Sequence, residues 1–131
     1  MCAHLSEKSP YKIADLSDSI LYLNSDQYFQ GYCVLEYKRH VKELFDLSEE
    51  ERIDLMAHVC RAAKALQAVF SSQKINYELL GNQVPHIHWH LIPRFNTDPA
   101  WPNPVWSRPH PPVTLSSQEV QKRIKRIREC L

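Results

Sequence analysis

No apolar run in this 131-residue chain approaches the roughly 20 residues that a membrane-spanning helix requires. The opening "MCAHLSEKSP" also lacks the basic-then-apolar pattern of a secretory leader. No charge of one sign dominates, because 16 lysines and arginines face 15 aspartates and glutamates for a net charge of +1. That balance exerts no global pull toward nucleic acid or membrane, and neither is expected as a partner. Cys2, Cys33, Cys60 and Cys130 are scattered and include no CxxC pair. Their even number permits a disulfide framework, but the spacing fits reduced thiols and a cytoplasmic location better. What remains is a globular composition, 44% apolar, expected to form a single domain over residues 1–131.

The stretch "SILYLNSDQYFQGYCVLEYK" holds two strand candidates, 20–24 and 32–37, joined by a polar connection. A long helix follows in "DLSEEERIDLMAHVCRAAKALQAVFSSQ". Ser48 is a suitable N-cap, and Glu51 three residues later completes a capping-box pattern. Ile53, Met56, Val59, Cys60, Ala63, Leu66 and Phe70 recur at threes and fours and predict its apolar face. The alanines favour helix and permit close approach to a sheet. His58 reads as helix-surface packing.

"KINYELL" and "HIHWHLIPR" read as strands separated by "GNQVP", with Pro85 at the start of the second and Pro93 marking its far end. Residues 96–131 then form a proline-rich segment and a C-terminal helix. Seven prolines fall from Pro93 to Pro112, interleaved with Trp101, Trp106 and His110, which rules out a regular helix or central strand. The tryptophans point to packing over the body or a neighbouring subunit. The last helix begins near Ser116, with Val120, Ile124, Ile127 and Leu131 on one face. Its five basic residues read as a solvated cationic face with favourable charge near a helix C-terminus.

The chemistry concentrates in "GNQVPHIHWHLIPRF", residues 81–95. Strand alternation would put His86, His88 and His90 on one face and Ile87, Trp89 and Leu91 on the other. At about 3.3 Å per residue, the outer histidines stand about 13 Å apart along a straight strand. Adjacent members could share a metal ion, with His40 or His110 completing the shell, so zinc-dependent hydrolysis is one reading. The spacing opposes convergence of all three rings on one ion. An extended phosphate site uses every position: the middle histidine attacks phosphorus while its neighbours stabilise charge. Backbone N–H groups of residues 81–83, with the Asn82 and Gln83 amides, would complete the cradle. A non-catalytic nucleotide-binding module is a third reading.

"HIHWHLI" resembles the histidine-triad (HIT) pattern of His-apolar-His-apolar-His-apolar-apolar. "NYELLGNQVP", "PRF" and "CVLEYKRH" are similar to the same superfamily, over roughly residues 19–95. The downstream part resembles additions in a small bacterial-type branch. The resemblance implies an α+β fold built on an antiparallel sheet, with a long packed helix and a C-terminal helix. It also implies a homodimer acting on a nucleotide substrate. Hydrolysis or transfer would occur at the α-phosphorus of dinucleoside polyphosphates or nucleoside phosphoramidates.

On that pattern His88 would form the nucleotidyl-imidazole intermediate, and His90 would sit nearer the leaving group. His86 would hold the array in register, and His40 would support it. Asn76, Asn82 and Gln83 match substrate- or loop-contacting positions, although "GNQVP" departs from the common Gly-Gln order. Retention of His90 argues against the uridylyl-transfer branch, which carries glutamine there. No protein-bound cofactor is implied, although a divalent cation can accompany a polyphosphate. Leu21 and Leu23 are candidates for the nucleoside pocket.

Overall fold

Antiparallel pairing alone builds the sheet. The computed structural model describes residues 8–131, which leaves Cys2 outside the described residues. Five strands appear in chain order: β1 (Lys12–Asp15), β2 (Ser19–Leu23), β3 (Cys33–Tyr37), β4 (Lys74–Glu78) and β5 (His88–Arg94). Helix α1 (Glu49–Phe70) connects β3 to β4, and α2 (Ser117–Cys130) follows β5. The spatial order is β1-β2-β3-β5-β4, so β5 enters between β3 and β4. This is the expected α+β architecture. No helix among the described residues is long and apolar enough to cross a membrane.

The two strands predicted at 20–24 and 32–37 are present as the antiparallel pair β2 and β3. Strand β1 carries little sequence signal, being four residues long with a register irregularity between Lys12 and Ala14. Pro93 does not end β5; it lies inside the strand, opposite Ile75. Pairing of β5 with β3 stops at Cys33 and Leu91, and the Arg94 carbonyl accepts from Gln73 N–H at 3.0 Å. Alternation therefore turns the Pro93 nitrogen away from β4, toward a side where no ladder donor is required. Gly31 lies on that side with φ +84°, where a Cβ would come within 2.9 Å of the Pro93 ring and 2.7 Å of Phe70.

The capping box of α1 forms as expected, with the Ser48 side chain accepting from Glu51 N–H and the Glu51 carboxylate accepting from Ser48 N–H. The buried face agrees with the predicted one at Val59, Ala63, Leu66 and Phe70 and departs from it at Ile53, Met56 and Cys60. Leu55, Val59, Ala62, Ala63, Ala65, Leu66 and Phe70 are buried, whereas Ile53 and Met56 are 63% and 48% exposed and Cys60 is exposed. Two apolar stripes overlap on this helix, and the one richer in alanine lets its backbone approach the sheet. Val120, Ile124 and Ile127 of α2 join the same core. Its basic residues are not simply solvated. Arg128 Nε donates to Ile13 O at 2.8 Å, Arg126 Nη2 to Val69 O at 3.0 Å, and Arg123 Nη1 to Gln27 Oε1 at 2.8 Å.

The opposite face of the sheet is covered over part of its length by the proline-rich segment. Phe29, Tyr32, Val34, Ile92, Ala100 and Val105 form a second apolar cluster there. Arg94, 1% exposed, fastens the segment. Its Nε and Nη2 donate to the two Asp98 carboxylate oxygens at 2.8 and 3.0 Å, Nη1 to Asn76 Oδ1 at 2.7 Å, and Nη2 also to Asn103 O at 2.8 Å. Phe29 and Trp101 stack around the guanidinium, each about 5.7 Å from Cζ. Burial alone would push the Asp98 carboxyl pKa up, but hydrogen bonds from Arg94 and nearby backbone amides hold it below its ordinary value. Substituting Arg94→Met strands a buried carboxylate, so urea unfolding is expected to show a loss of about 3–5 kcal/mol. A change below about 1 kcal/mol would show that this anchor is not needed.

Candidate active site

Two cross-strand registers set the positions of the histidines. In the β3–β5 pair, Glu36 stands opposite His88 and Val34 opposite His90; in the β4–β5 pair, Glu78 stands opposite His90. His88 and His90 therefore share the sheet face away from α1. His86 is not in β5, because the strand starts at His88. Ahead of it the chain leaves β4 and attaches to the extension of β3. Ile87 N–H donates to Val41 O at 3.1 Å, and Tyr37 N–H donates to Ile87 O at 3.0 Å. Pro85 consequently lies outside the strand rather than at its first position.

His86 is buried, and its Nε2 lies 2.5 Å from Tyr37 O. A carbonyl only accepts, so this nitrogen carries the hydrogen. Burial is the largest influence on its pKa and lowers it, with the Tyr37 hydrogen bond acting in the opposite sense. The exposed His40 meets the His86 ring edge-on at 5.3 Å, and the His86 and His88 ring centroids are 5.0 Å apart. His88 Nε2–H donates to Glu36 Oε2 at 3.2 Å, with both side chains nearly buried. His90 Nδ1 lies 2.7 Å from the Tyr32 hydroxyl. Burial, then the neighbouring His88, lowers the His90 pKa. Burial, then the Glu78 and Asp26 carboxylates, pushes the Tyr32 phenol up.

Of these side chains, His88 and His90 border a cavity of about 460 Å³. His88, His90 and Val34 form its floor, residues 80–84 one wall, and Asn24 and Trp106 complete the rim. Asn82 and Gln83 both reach it; Asn76 does not line it and gives its side-chain oxygen to Arg94. Trp106 stands edge-on to His90 at 5.9 Å and its indole N–H donates to Glu78 Oε1. A smaller hollow of about 270 Å³ shares Asn24 and Val34 and is bordered by Tyr11, Tyr22 and Leu23. Leu21 faces α1 in the main core, so only Leu23 of the two candidate leucines reaches a hollow. His110 stacks on Tyr28 at 3.7 Å, and His58 pairs with Asp18 at 2.9 Å, both away from the histidine cavity. Among the described residues, no group of three or more His, Cys, Asp or Glu side chains is gathered as a metal site.

Sequence reasoning missed Glu36, Tyr32 and Glu78. A charged residue in the otherwise apolar "CVLEY" was the available signal for Glu36; the others became visible only through strand register.

His86 and His90 also link stability to pH. Their folded pKa values lie below the ordinary histidine value of about 6.5, so the unfolded chain binds more protons between the two. Stability from these groups is full above about pH 6.5 and is lost as pH falls toward the folded values. Urea midpoints measured from pH 7.5 to 5 should decline, and more shallowly in a His86→Gln variant, whose amide can still donate to Tyr37 O. Identical slopes in the two proteins would contradict the assignment.

The HIT domain family profile matches residues 6–97. A histidine triad protein of Bradyrhizobium japonicum superposes with a TM-score of 0.83 at 34% identity, covering 90% of this chain and 87% of that one. A bis(5'-nucleosyl)-tetraphosphatase (asymmetrical) of Schizosaccharomyces pombe is 31% identical over 61% of this chain and 47% of its own length. An adenosine 5'-monophosphoramidase of Saccharomyces cerevisiae is 28% identical over 68% of this chain and 57% of its own. The chain thus spans about half the length of these two curated relatives. The profile match, the shared sheet and helix arrangement, and the three alternating histidines show that this chain belongs to the HIT domain family.

Proposed function

We propose that this protein is a nucleotide hydrolase that cleaves at the α-phosphorus of dinucleoside polyphosphates or nucleoside phosphoramidates through a nucleotidyl-histidine intermediate. The observation that carries this reading is the placement of His88 and His90 side by side on the floor of one cavity, below the turn of residues 80–84. Such a floor presents a nucleophilic nitrogen and a charge-stabilising group to the same phosphoryl centre. The named activities of the two curated relatives support both substrate classes.

A His88 ring nitrogen bonds to phosphorus and the bond to the leaving group breaks; water then releases the nucleoside monophosphate. Glu36, beside Nε2, offsets the positive charge that the ring gains when phosphorus is attached. His90 faces the leaving group. His86, tied to the Tyr37 carbonyl, holds the array in register, with His40 against its ring. Asn82 and Gln83 contact phosphate oxygens, and Asn76 acts on the proline-rich segment through Arg94. Trp106 offers an exposed indole face beside His90 to a second base. The chemistry uses no protein-bound metal, a divalent ion arriving only with a polyphosphate, and the protein works in the cytoplasm.

Support for a homodimer comes from the surface left by α1 and β4. Ile53, Met56 and Tyr77 are exposed, and β4 is an edge strand with one side unpaired within the sheet.

Replacing His88 with alanine is expected to cut turnover at least about 1,000-fold while leaving the circular dichroism spectrum unchanged. Wild-type protein, chelated and verified metal-free, should still cleave adenosine 5'-phosphoramidate. Normal turnover by the variant would remove the nucleophile assignment, and loss of wild-type activity on chelation would favour a zinc hydrolase. Tight nucleotide binding with no product from wild type would favour the non-catalytic module. Sedimentation should show a wild-type dimer and a monomeric Ile53→Asp/Met56→Asp double variant; a monomeric wild type would contradict the dimer.

A further inference from the structure

We propose that Tyr32 is a positioning residue for His90: its hydroxyl donates to Nδ1, fixes the ring as the Nε2–H tautomer, and suits the site to a leaving group that departs as a phosphate anion. The inference deepens the hydrolytic reading above and rests on it for its kinetic consequence.

The Tyr32 hydroxyl has little freedom to point elsewhere. Its residue is 7% exposed and belongs to the apolar cluster beneath the proline-rich segment. The backbone is held as well: Tyr32 O accepts from Gln27 Nε2 and from Asn24 N–H, both at 2.9 Å, and Tyr32 N–H donates to Phe29 O at 3.2 Å. The phenol and imidazole rings meet at 85° with centroids 5.8 Å apart, which delivers the hydroxyl to Nδ1 at 2.7 Å.

Two assignments of the shared hydrogen are conceivable, and chemistry separates them. A phenol O–H in apolar surroundings requires an acceptor, and His90 Nδ1 is the acceptor within reach. Burial keeps the phenol protonated and the imidazole neutral, which is the combination in which tyrosine donates. A neutral ring that accepts at Nδ1 carries its one hydrogen on Nε2. That nitrogen is the one left to serve the cavity.

A ring in this state donates a hydrogen bond readily but does not hand over its proton, since doing so would leave either an imidazolate or, if the Tyr32 proton moved to Nδ1, a tyrosinate that burial and the nearby carboxylates disfavour. In anhydride cleavage nothing more is required. The His88 nitrogen forms a bond to phosphorus, the bond from phosphorus to the bridging oxygen breaks, and its electron pair stays on the departing phosphate. That anion is stable without a proton, and Nε2–H stabilises the charge as it develops. Water then bonds to phosphorus, the electron pair of the N–P bond returns to His88, and the water proton passes to solvent. An amine leaving group instead needs a full proton, which a neutral His90 held by Tyr32 is poorly placed to supply.

Long-range nitrogen–proton correlation spectra of the wild-type protein at pH 7, assigned with a His90→Gln variant, read the tautomer directly. The expected pattern is a neutral His90 protonated at Nε2. A ring protonated at Nδ1, or a cationic ring, overturns the proposal. Steady-state kinetics of Tyr32→Phe on a diadenosine tetraphosphate and on adenosine 5'-phosphoramidate supply the second readout. Anhydride kcat should fall about 10- to 100-fold, and the phosphoramidate-to-anhydride ratio of kcat/KM should rise by about 10-fold or more. Unchanged rates, or equal losses on both substrates, would mean that Tyr32 only packs. Failure of the wild-type protein to turn over either substrate would sink the hydrolytic reading and, with it, the leaving-group consequence; the spectra still decide the tautomer.

Discussion

Pairing of β3 with β5 in a single register is the constraint on which the rest of the site depends. With Glu36 opposite His88 and Val34 opposite His90, both histidines emerge on the face away from α1. A slip of one residue would exchange every side chain between faces and bury the histidines beneath the helix. Cys33, Leu35 and Leu91, each with no exposed surface, oppose such a slip because they would have to leave the main core. The hydrophobic packing that stabilises the domain is therefore also what orients its polar floor.

The second face of the sheet is finished by a segment with little regular structure of its own. Proline removes the donors that would make residues 95–113 a strand or helix, and side chains supply the attachment instead. Arg94 lies at the end of β5, four residues beyond His90, and its hydrogen bonds reach Asp98 and Asn103 in the segment and Asn76 in β4. One buried guanidinium thus joins the strand that carries the histidines to the segment that carries Trp106. Tyr32, packed under the same segment, extends that support to His90. Structural and catalytic order share one apolar cluster.

Much of this was legible in the residues. The aromatic and β-branched run of β3, the Ser48–Glu51 capping box and the alternation of His88 with His90 each depend on near neighbours, and each was readable without the fold. The helix face was legible at Val59, Ala63, Leu66 and Phe70 but not at its edge, since Ile53 and Met56 share the helical periodicity and only the sheet decides which stripe is covered. His86 looked like a strand residue because alternation continues through it; β5 instead starts at His88, the backbone of Ile87 bonds to Val41 and Tyr37, and the His86 ring is tied to the Tyr37 carbonyl some fifty positions earlier. Glu36 and Tyr32 were illegible as partners of the histidines because their proximity arises from register, a non-local property. The family resemblance carried the functional expectation past the point where local patterns end.

Turnover by the proposed route requires that phosphorus become bonded to His88. Mixing the protein with a dinucleoside polyphosphate, quenching within one turnover and mapping the modified peptide by mass spectrometry measures that bond directly. A nucleoside monophosphate adduct is expected on the peptide spanning residues 86–90, localised to His88 and disappearing at the rate at which product forms. Product formation with no adduct at any quench time, or an adduct on a residue other than His88, would contradict it.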